Sequence, residues 1–163
     1  IKNQDNKKIL VVYFSFTGNT KRVSADIATA LNADIECLVE KKKRGGWGWD
    51  LIAGKDALCK KLVDIEDTKN TTAMYDLVIV GSPVWYWRMS PAVRTYLVRN
   101  KKGIKNFAFF TTSASTLPGK IVADAEKILR KKVICYSGFT ENEFIDNGLY
   151  SKKLEEFLMC LKK

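Results

Sequence analysis

The chain has 163 residues, 46% hydrophobic and 28% charged, enough for one domain with a buried core and too few for two of ordinary size. No apolar run approaches the roughly 20 residues of a membrane-spanning helix, and a formal net charge of +10 invites an acidic partner without specifying a fold. Histidine is absent and Cys37, Cys59, Cys135 and Cys160 form no C-x-x-C pair, so the usual zinc spacings are missing. The four cysteines read as free, mostly buried thiols, and a cytoplasmic location is the default expectation.

In chain order, a first strand is expected over Ile9 to Phe14, then a helix with Val23, Ile27 and Leu31 at helical spacing. A second strand at Asp34 to Val39 enters a long connection, Glu40 to Tyr75, which contains KKKRGGWGW and a weaker amphipathic pattern at Leu51, Leu58 and Leu62. Strand three, Leu77 to Gly81, precedes a helix opened by Ser90 and Pro91 and carrying Val93 and Leu97. Strand four, Phe107 to Thr112, precedes a helix announced by Thr116 and Pro118, with Ile121, Ala125, Ile128 and Leu129 on its apolar stripe. Strand five, Val133 to Gly138, leads to a last helix with Leu154, Phe157, Leu158 and Leu161. Strand alternating with helix five times implies parallel pairing through right-handed crossovers. Residues 1–163 are therefore expected to form a single α/β domain, a doubly wound five-stranded parallel sheet of order 2-1-3-4-5 with helices on both faces. Such sheets bind ligands outside the carboxyl ends of their strands, beside strand one.

Directly after strand one stand Ser15, Phe16, Thr17, Gly18, Asn19 and Thr20, a hydroxyl-rich turn opening onto a helix amino terminus. Unpaired amides, the positive end of the helix dipole and the hydroxyls make this an anion site. Gly18 lets the backbone approach the anion. Neither G-x-x-x-x-G-K-[ST] nor G-x-G-x-x-G is present, so a single phosphate monoester fits better than a nucleoside triphosphate or a dinucleotide. After strand three come Pro83, Val84, Trp85, Tyr86 and Trp87, three aromatics in a row where a flat, polarizable ring system would stack. After strand four, Thr112, Ser113, Ala114 and Ser115 form a small polar loop able to pass close to such a ring.

The run V-V-Y-F-S-F-T-G-N-T resembles the FMN phosphate loop of flavodoxins and their reductase relatives, and G-S-P-V-W is similar to their isoalloxazine loop. The resemblance spans essentially the whole chain. It implies the flavodoxin-like fold, with noncovalent FMN as cofactor. In that reading Ser15 to Thr20 wrap the phosphate, backbone groups of Val84 to Trp87 meet the ring edge, Trp85, Tyr86 or Trp87 flanks its face, and Thr112 to Ser115 border the other side. The reaction implied is electron transfer to a small-molecule or protein acceptor. Carrier flavodoxins favour the one-electron state through a backbone flip usually eased by glycine. Val84 to Arg88 contains none, so a flip to positive φ is expected to cost more, favouring two-electron oxidoreductase chemistry over a plain carrier.

The expected partners are a redox donor and an acceptor, an acidic protein or the nicotinamide cofactor NAD(P)H, with a homodimer left open. Lys41 to Arg44, together with Trp47 and Trp49, emerge on the cofactor side and are read as a docking segment for that partner. The other basic clusters precede strands and are read as a solvated face. No nucleic-acid-binding motif appears, no side chain stands out as acid, base or nucleophile, and strand one lacks the acidic cluster of a phosphate-accepting receiver.

Overall fold

Strand β1 (Ile9–Tyr13) alternates its side chains between two apolar environments, Leu10 and Val12 on one face and Val11 on the other, which is why its sequence reads as an unbroken hydrophobic run. The computed structural model describes residues 7–42, 51–52, 55–56, 59–115 and 118–162. Strands β1, β2 (Asp34–Cys37), β3 (Leu77–Trp85), β5 (Phe107–Ser113) and β6 (Tyr136–Thr140) form a parallel sheet in the order β2-β1-β3-β5-β6. Counting parallel strands alone, this is the expected order 2-1-3-4-5. A short β4 (Arg88–Met89) adds antiparallel to the end of β3.

On one face of the sheet, helices α2 (Pro91–Asn100) and α3 (Gly119–Leu129) bury Val93, Tyr96, Leu97, Ile121 and Ala125 against Val12, Val80 and Phe109. On the other, α1 (Asn19–Leu31) and α5 (Asn147–Leu161) bury Val23, Ile27, Tyr150 and Phe157 against Val11, Ile79 and Phe110. The short α4 (Glu141–Ile145) opens with a reciprocal cap between Thr140 and Glu143. Ser90 caps α2 through the Val93 amide, as expected. Thr116 lies outside the described residues, and Pro118 stands at the start of α3. No described helix is long and apolar enough to cross a membrane.

Several expected boundaries move. Strand β3 does not stop at Gly81 but runs through Pro83 to Trp85, pairing Pro83 with Thr112 of β5. The last strand starts at Tyr136 instead of Val133: the Val133 amide turns to the Glu126 carboxylate at 3.0 Å, and contact with β5 begins with the Ile134 amide on the Phe107 carbonyl at 2.9 Å. In the long connection, residues 51, 52, 55 and 56 are helical, Leu58 falls outside the described residues, and Ile65 bridges back to Glu40.

The cysteine expectation holds for Cys37 and Cys59 as free thiols, though both are exposed, and is overturned for the other two. Cys135, just before β6, and Cys160, in the last turn of α5, form a disulfide with Cα atoms 6.1 Å apart, while Cys37 and Cys59 are exposed. The helix that follows a parallel strand returns to that strand's amino end, so a separation of 25 residues becomes a contact. Closing a loop of that length restricts the unfolded chain by about 3.5 kcal/mol. Urea unfolding with and without a phosphine reductant should show a loss of this order, and unchanged stability on verified reduction would contradict the assignment of a structural role to this bridge.

Candidate functional site

The chain leaves β1 through Phe14, whose amide donates to the Gly81 carbonyl at 3.3 Å, and turns over Ser15 into α1. The Ser15 hydroxyl oxygen accepts from the amides of Gly18 at 3.2 Å and Lys21 at 3.3 Å, drawing the turn into a ring around the helix start. Gly18 occupies the cap with φ +102°, and no protein atom lies within 4 Å of where a Cβ would stand. The glycine is therefore required for its left-handed backbone rather than for room against its protein neighbours. The first intrahelical bond runs from the Arg22 amide to the Gly18 carbonyl, so the earlier amides of the turn precede the helical ladder. No acidic side chain sits in this first turn. Phe16, Thr17, Gly18 and Asn19 are exposed and Ser15 half-buried, whereas Thr20 is buried and its hydroxyl meets that of Thr112 at 2.8 Å.

What the sequence presents as a loop after strand three is a β-hairpin. Val84 pairs with Met89 and Trp85 with Arg88, leaving Tyr86 and Trp87 as a two-residue turn. Both have positive φ, 47° and 60°, the combination that a tight hairpin connection of matching twist requires and that Asn-Gly usually supplies. The base is locked by Ser82, whose hydroxyl oxygen accepts from the Ser90 amide at 3.0 Å while donating to the Pro83 carbonyl at 2.9 Å. Trp85 is half-buried, its ring meeting those of Phe14 at 5.6 Å and Phe16 at 6.4 Å edge to face. Tyr86 and Trp87 project, 44% and 67% exposed. The three aromatics thus divide: one is built into the wall and two stand at its rim.

One carboxylate ties this hairpin to the body of the protein. Asp124 of α3 meets Arg88 of β4 at 3.2 Å, Arg94 of α2 at 3.1 Å and Lys60 of the long connection at 3.2 Å. Burial pushes the Asp124 carboxyl upward, but the hydrogen bonds and charges of Lys60 and Arg94 outweigh it and leave its pKa below the ordinary value. Sequence reasoning passes over Asp124. The available signal is an acid at helical spacing between Ile121 and Ile128, on the face that packs inward.

The third predicted piece is only half a loop: Thr112 is buried within β5 and Ser113 ends that strand paired with Thr140, because β5 runs on beside β6, and Ala114 and Ser115 are exposed beyond it. The exits of β1, β3 and β5 therefore meet at one edge, joined by the Phe16–Trp85 and Thr20–Thr112 contacts. Of the predicted docking segment, Lys41 and Lys42 are exposed at the same edge after β2, while Lys43, Arg44, Trp47 and Trp49 lie outside the described residues.

A family model described as Flavodoxin matches residues 8–158. No curated protein matches the chain. Among solved structures, a flavoprotein in complex with FMN from Lactobacillus acidophilus NCFM superposes with a TM-score of 0.71 at 24% identity, covering 85% of this chain and 97% of its own. A protein described as a flavoprotein from Bacteroides eggerthii DSM 20697 gives the same TM-score at 22% identity, over 94% and 99%. Two-electron reduced Megasphaera elsdenii flavodoxin gives 0.55 at 18% identity, over 90% and 94%.

The cluster around Asp124 has a pH signature. Its depressed folded pKa means that its contribution is complete above about pH 4, the unfolded value, and is lost as pH falls through the lower folded value. Asp124→Asn, which leaves the buried Arg94 without its counter-charge, should cost about 3–5 kcal/mol at neutral pH. Its urea midpoint should also fall less than the parent's on acidification below about pH 4; parallel acid profiles would show that this carboxylate carries no such linkage.

Proposed function

This chain belongs to the flavodoxin family, and on that premise we propose that it is an electron-transfer protein that holds FMN noncovalently at the carboxyl edge of its sheet. The observation that carries this reading is the meeting of three differently built pieces. A turn composed of donors stands beside a projecting aromatic pair and a small polar strand exit, joined by Thr20 to Thr112 at 2.8 Å and by Phe16 to Trp85 at 6.4 Å. The donor set fits a phosphate monoester. The Ser15 hydroxyl, the first-turn amides of α1 and the left-handed Gly18 offer hydrogen bonds and positive potential, and no carboxylate opposes them. When bound, the flavin supplies the redox chemistry itself.

In this reading Ser15, Phe16, Thr17, Gly18, Asn19 and Thr20 cradle the phosphate, with Thr20 acting indirectly by bracing Thr112. Pro83 and Val84 carry the backbone to the ring edge, Trp85 backs the wall, Tyr86 and Trp87 flank the ring, and Thr112, Ser113, Ala114 and Ser115 border its other side. The finer assignment is an oxidoreductase working with electron pairs, given NAD(P)H or a reduced protein as donor. Its support lies in the hairpin. The positive φ that a flip was expected to cost is already present at Tyr86 and Trp87. The relevant resistance is now that β4 pairing, the Ser82–Ser90 bond and the Arg88–Asp124 ion pair all hold the turn closed. A backbone flip there would break an assembled hairpin. A cytoplasmic location is kept as part of this reading, and no described helix is long and apolar enough to cross a membrane.

Purified protein reconstituted with FMN should be yellow, and anaerobic titration with NADPH or with dithionite should bleach it without a long-lived one-electron band. A strongly populated one-electron state would favour the carrier. Gly18→Ala forces a side chain to φ +102° and should weaken FMN roughly tenfold, about 1.4 kcal/mol, while leaving the affinity for riboflavin, which has no phosphate, unchanged. Equal losses for both ligands would remove the phosphate cradle from the proposal.

A further inference from the structure

The amino-terminal edge of the sheet carries a basic field that the redox site does not use. Lys7 and Lys8 precede β1, Lys101, Lys102 and Lys105 precede β5, and all are exposed. Arg130, Lys131 and Lys132 precede β6 and are exposed as well. The acids among them are engaged. Asp76 accepts from the Lys8 amide at 3.0 Å and pairs with Lys105 at 3.7 Å, and Glu126 accepts from the Val133 amide at 3.0 Å and pairs with Lys132 at 3.2 Å. Helix carboxyl termini favour cations, which accounts for one or two of these positions, Lys101 and Arg130 being the caps of α2 and α3. It does not account for Lys7, Lys8 or Lys105, which open strands.

Distance separates this field from the redox chemistry. Strand β5 has seven residues, so the two edges of the sheet stand about 23 Å apart, nearly three Debye lengths at physiological salt. Charges at one edge therefore do little to steer a partner to the other. We propose that the amino-terminal edge docks the protein onto an anionic phospholipid surface, with the proposed cofactor edge turned toward the aqueous side.

The field spans β1 to β6, three strand spacings or about 14 Å. Two features select a bilayer over nucleic acid. Seven of its eight cations are lysines, hydrated point charges suited to a diffuse potential, with only Arg130 offering bidentate phosphate recognition. Apolar groups stand among them: Met74, Ile134 and Tyr136 are 62%, 50% and 52% exposed, a mixture suited to the headgroup boundary. At the end of α3 and the approach to β6 lies a shallow, open depression lined by Ala123, Glu126, Lys127, Arg130, Lys131 and Lys132, where the cations not paired with Glu126 would meet an anionic headgroup. The Cys135–Cys160 bridge, next to Ile134, holds this edge in shape.

The test is sedimentation of the full-length protein with phosphatidylcholine vesicles, with and without phosphatidylserine. Binding should require phosphatidylserine and weaken steeply with salt. Lys101→Gln, Lys102→Gln and Lys131→Gln combined, three lysines that form no ion pair among the described residues, should weaken binding about a hundredfold, with FMN affinity unchanged as the check on folding. Lys41→Gln with Lys42→Gln, at the opposite edge, should leave vesicle binding intact. Equal binding to both vesicle types, an equal loss in the Lys41 and Lys42 variant, or tighter association with RNA than with phosphatidylserine vesicles would each overturn the proposal.

Discussion

Tyr86 and Trp87 both sit in the left-handed region, where bulky side chains are rarely found and where each residue costs on the order of 1 kcal/mol or more. A strained turn survives only if what surrounds it determines it more strongly than its own preference. Here two strand pairs, the buried bond from the Ser90 amide to the Ser82 hydroxyl, and the grip of Asp124 on Arg88 supply that determination. The arrangement of the carboxyl edge depends on this closure. If the hairpin opened, Trp85 would leave Phe14 and Phe16, and the turn after β1 would lose its apolar support.

Asp124 illustrates how one buried carboxylate can organise three elements. It is surrounded by Arg88 from β4, Arg94 from α2 and Lys60 from the long connection, so it reports on the position of each. Its energetic weight lies in the cost of removing it, because Arg94 is buried and would be left as a charge without a partner, far more than in the net worth of the ion pairs. Such a cluster is poor evidence of high stability and good evidence that a particular geometry is enforced. The geometry enforced is that of the aromatic rim.

The sheet was legible in the sequence because burial on both faces leaves continuous apolar runs, as in Leu10 to Tyr13 and Phe107 to Phe110, separated by helices with clear spacing. Strand order was taken from the usual five-stranded doubly wound arrangement, since crossover handedness alone leaves several orders open. The turn Ser15 to Thr20 was legible because its chemistry is local, a hydroxyl-rich turn opening a helix. The hairpin was not, because its turn residues, Tyr and Trp, are those that two-residue turns avoid, and tertiary contacts override local preference there. Nor was the disulfide, since pairing Cys135 with Cys160 requires knowing that α5 returns to the start of β6. Asp124 was hidden for the same reason: its three partners come from distant stretches of chain.

The turn after β1 is not a set of amides waiting without acceptors. Ser15 already takes the Gly18 and Lys21 amides, so an incoming phosphate would have to share or displace that hydroxyl, recovering only the difference between a charged and a neutral acceptor. Charge-assisted bonds are roughly twice as strong as neutral ones, which makes the exchange favourable but modest. The dipole of α1 adds a fraction of a kcal/mol to about 2 kcal/mol more. Neither source brings a monophosphate alone to high affinity. In the proposed reading the remainder would come from burying a flat ring against the rim, where an aromatic pair contributes through area and stacking. Because Phe16 links the turn to Trp85, phosphate and ring would then be held by one connected wall, and ordering either end would reduce the entropy left to lose at the other.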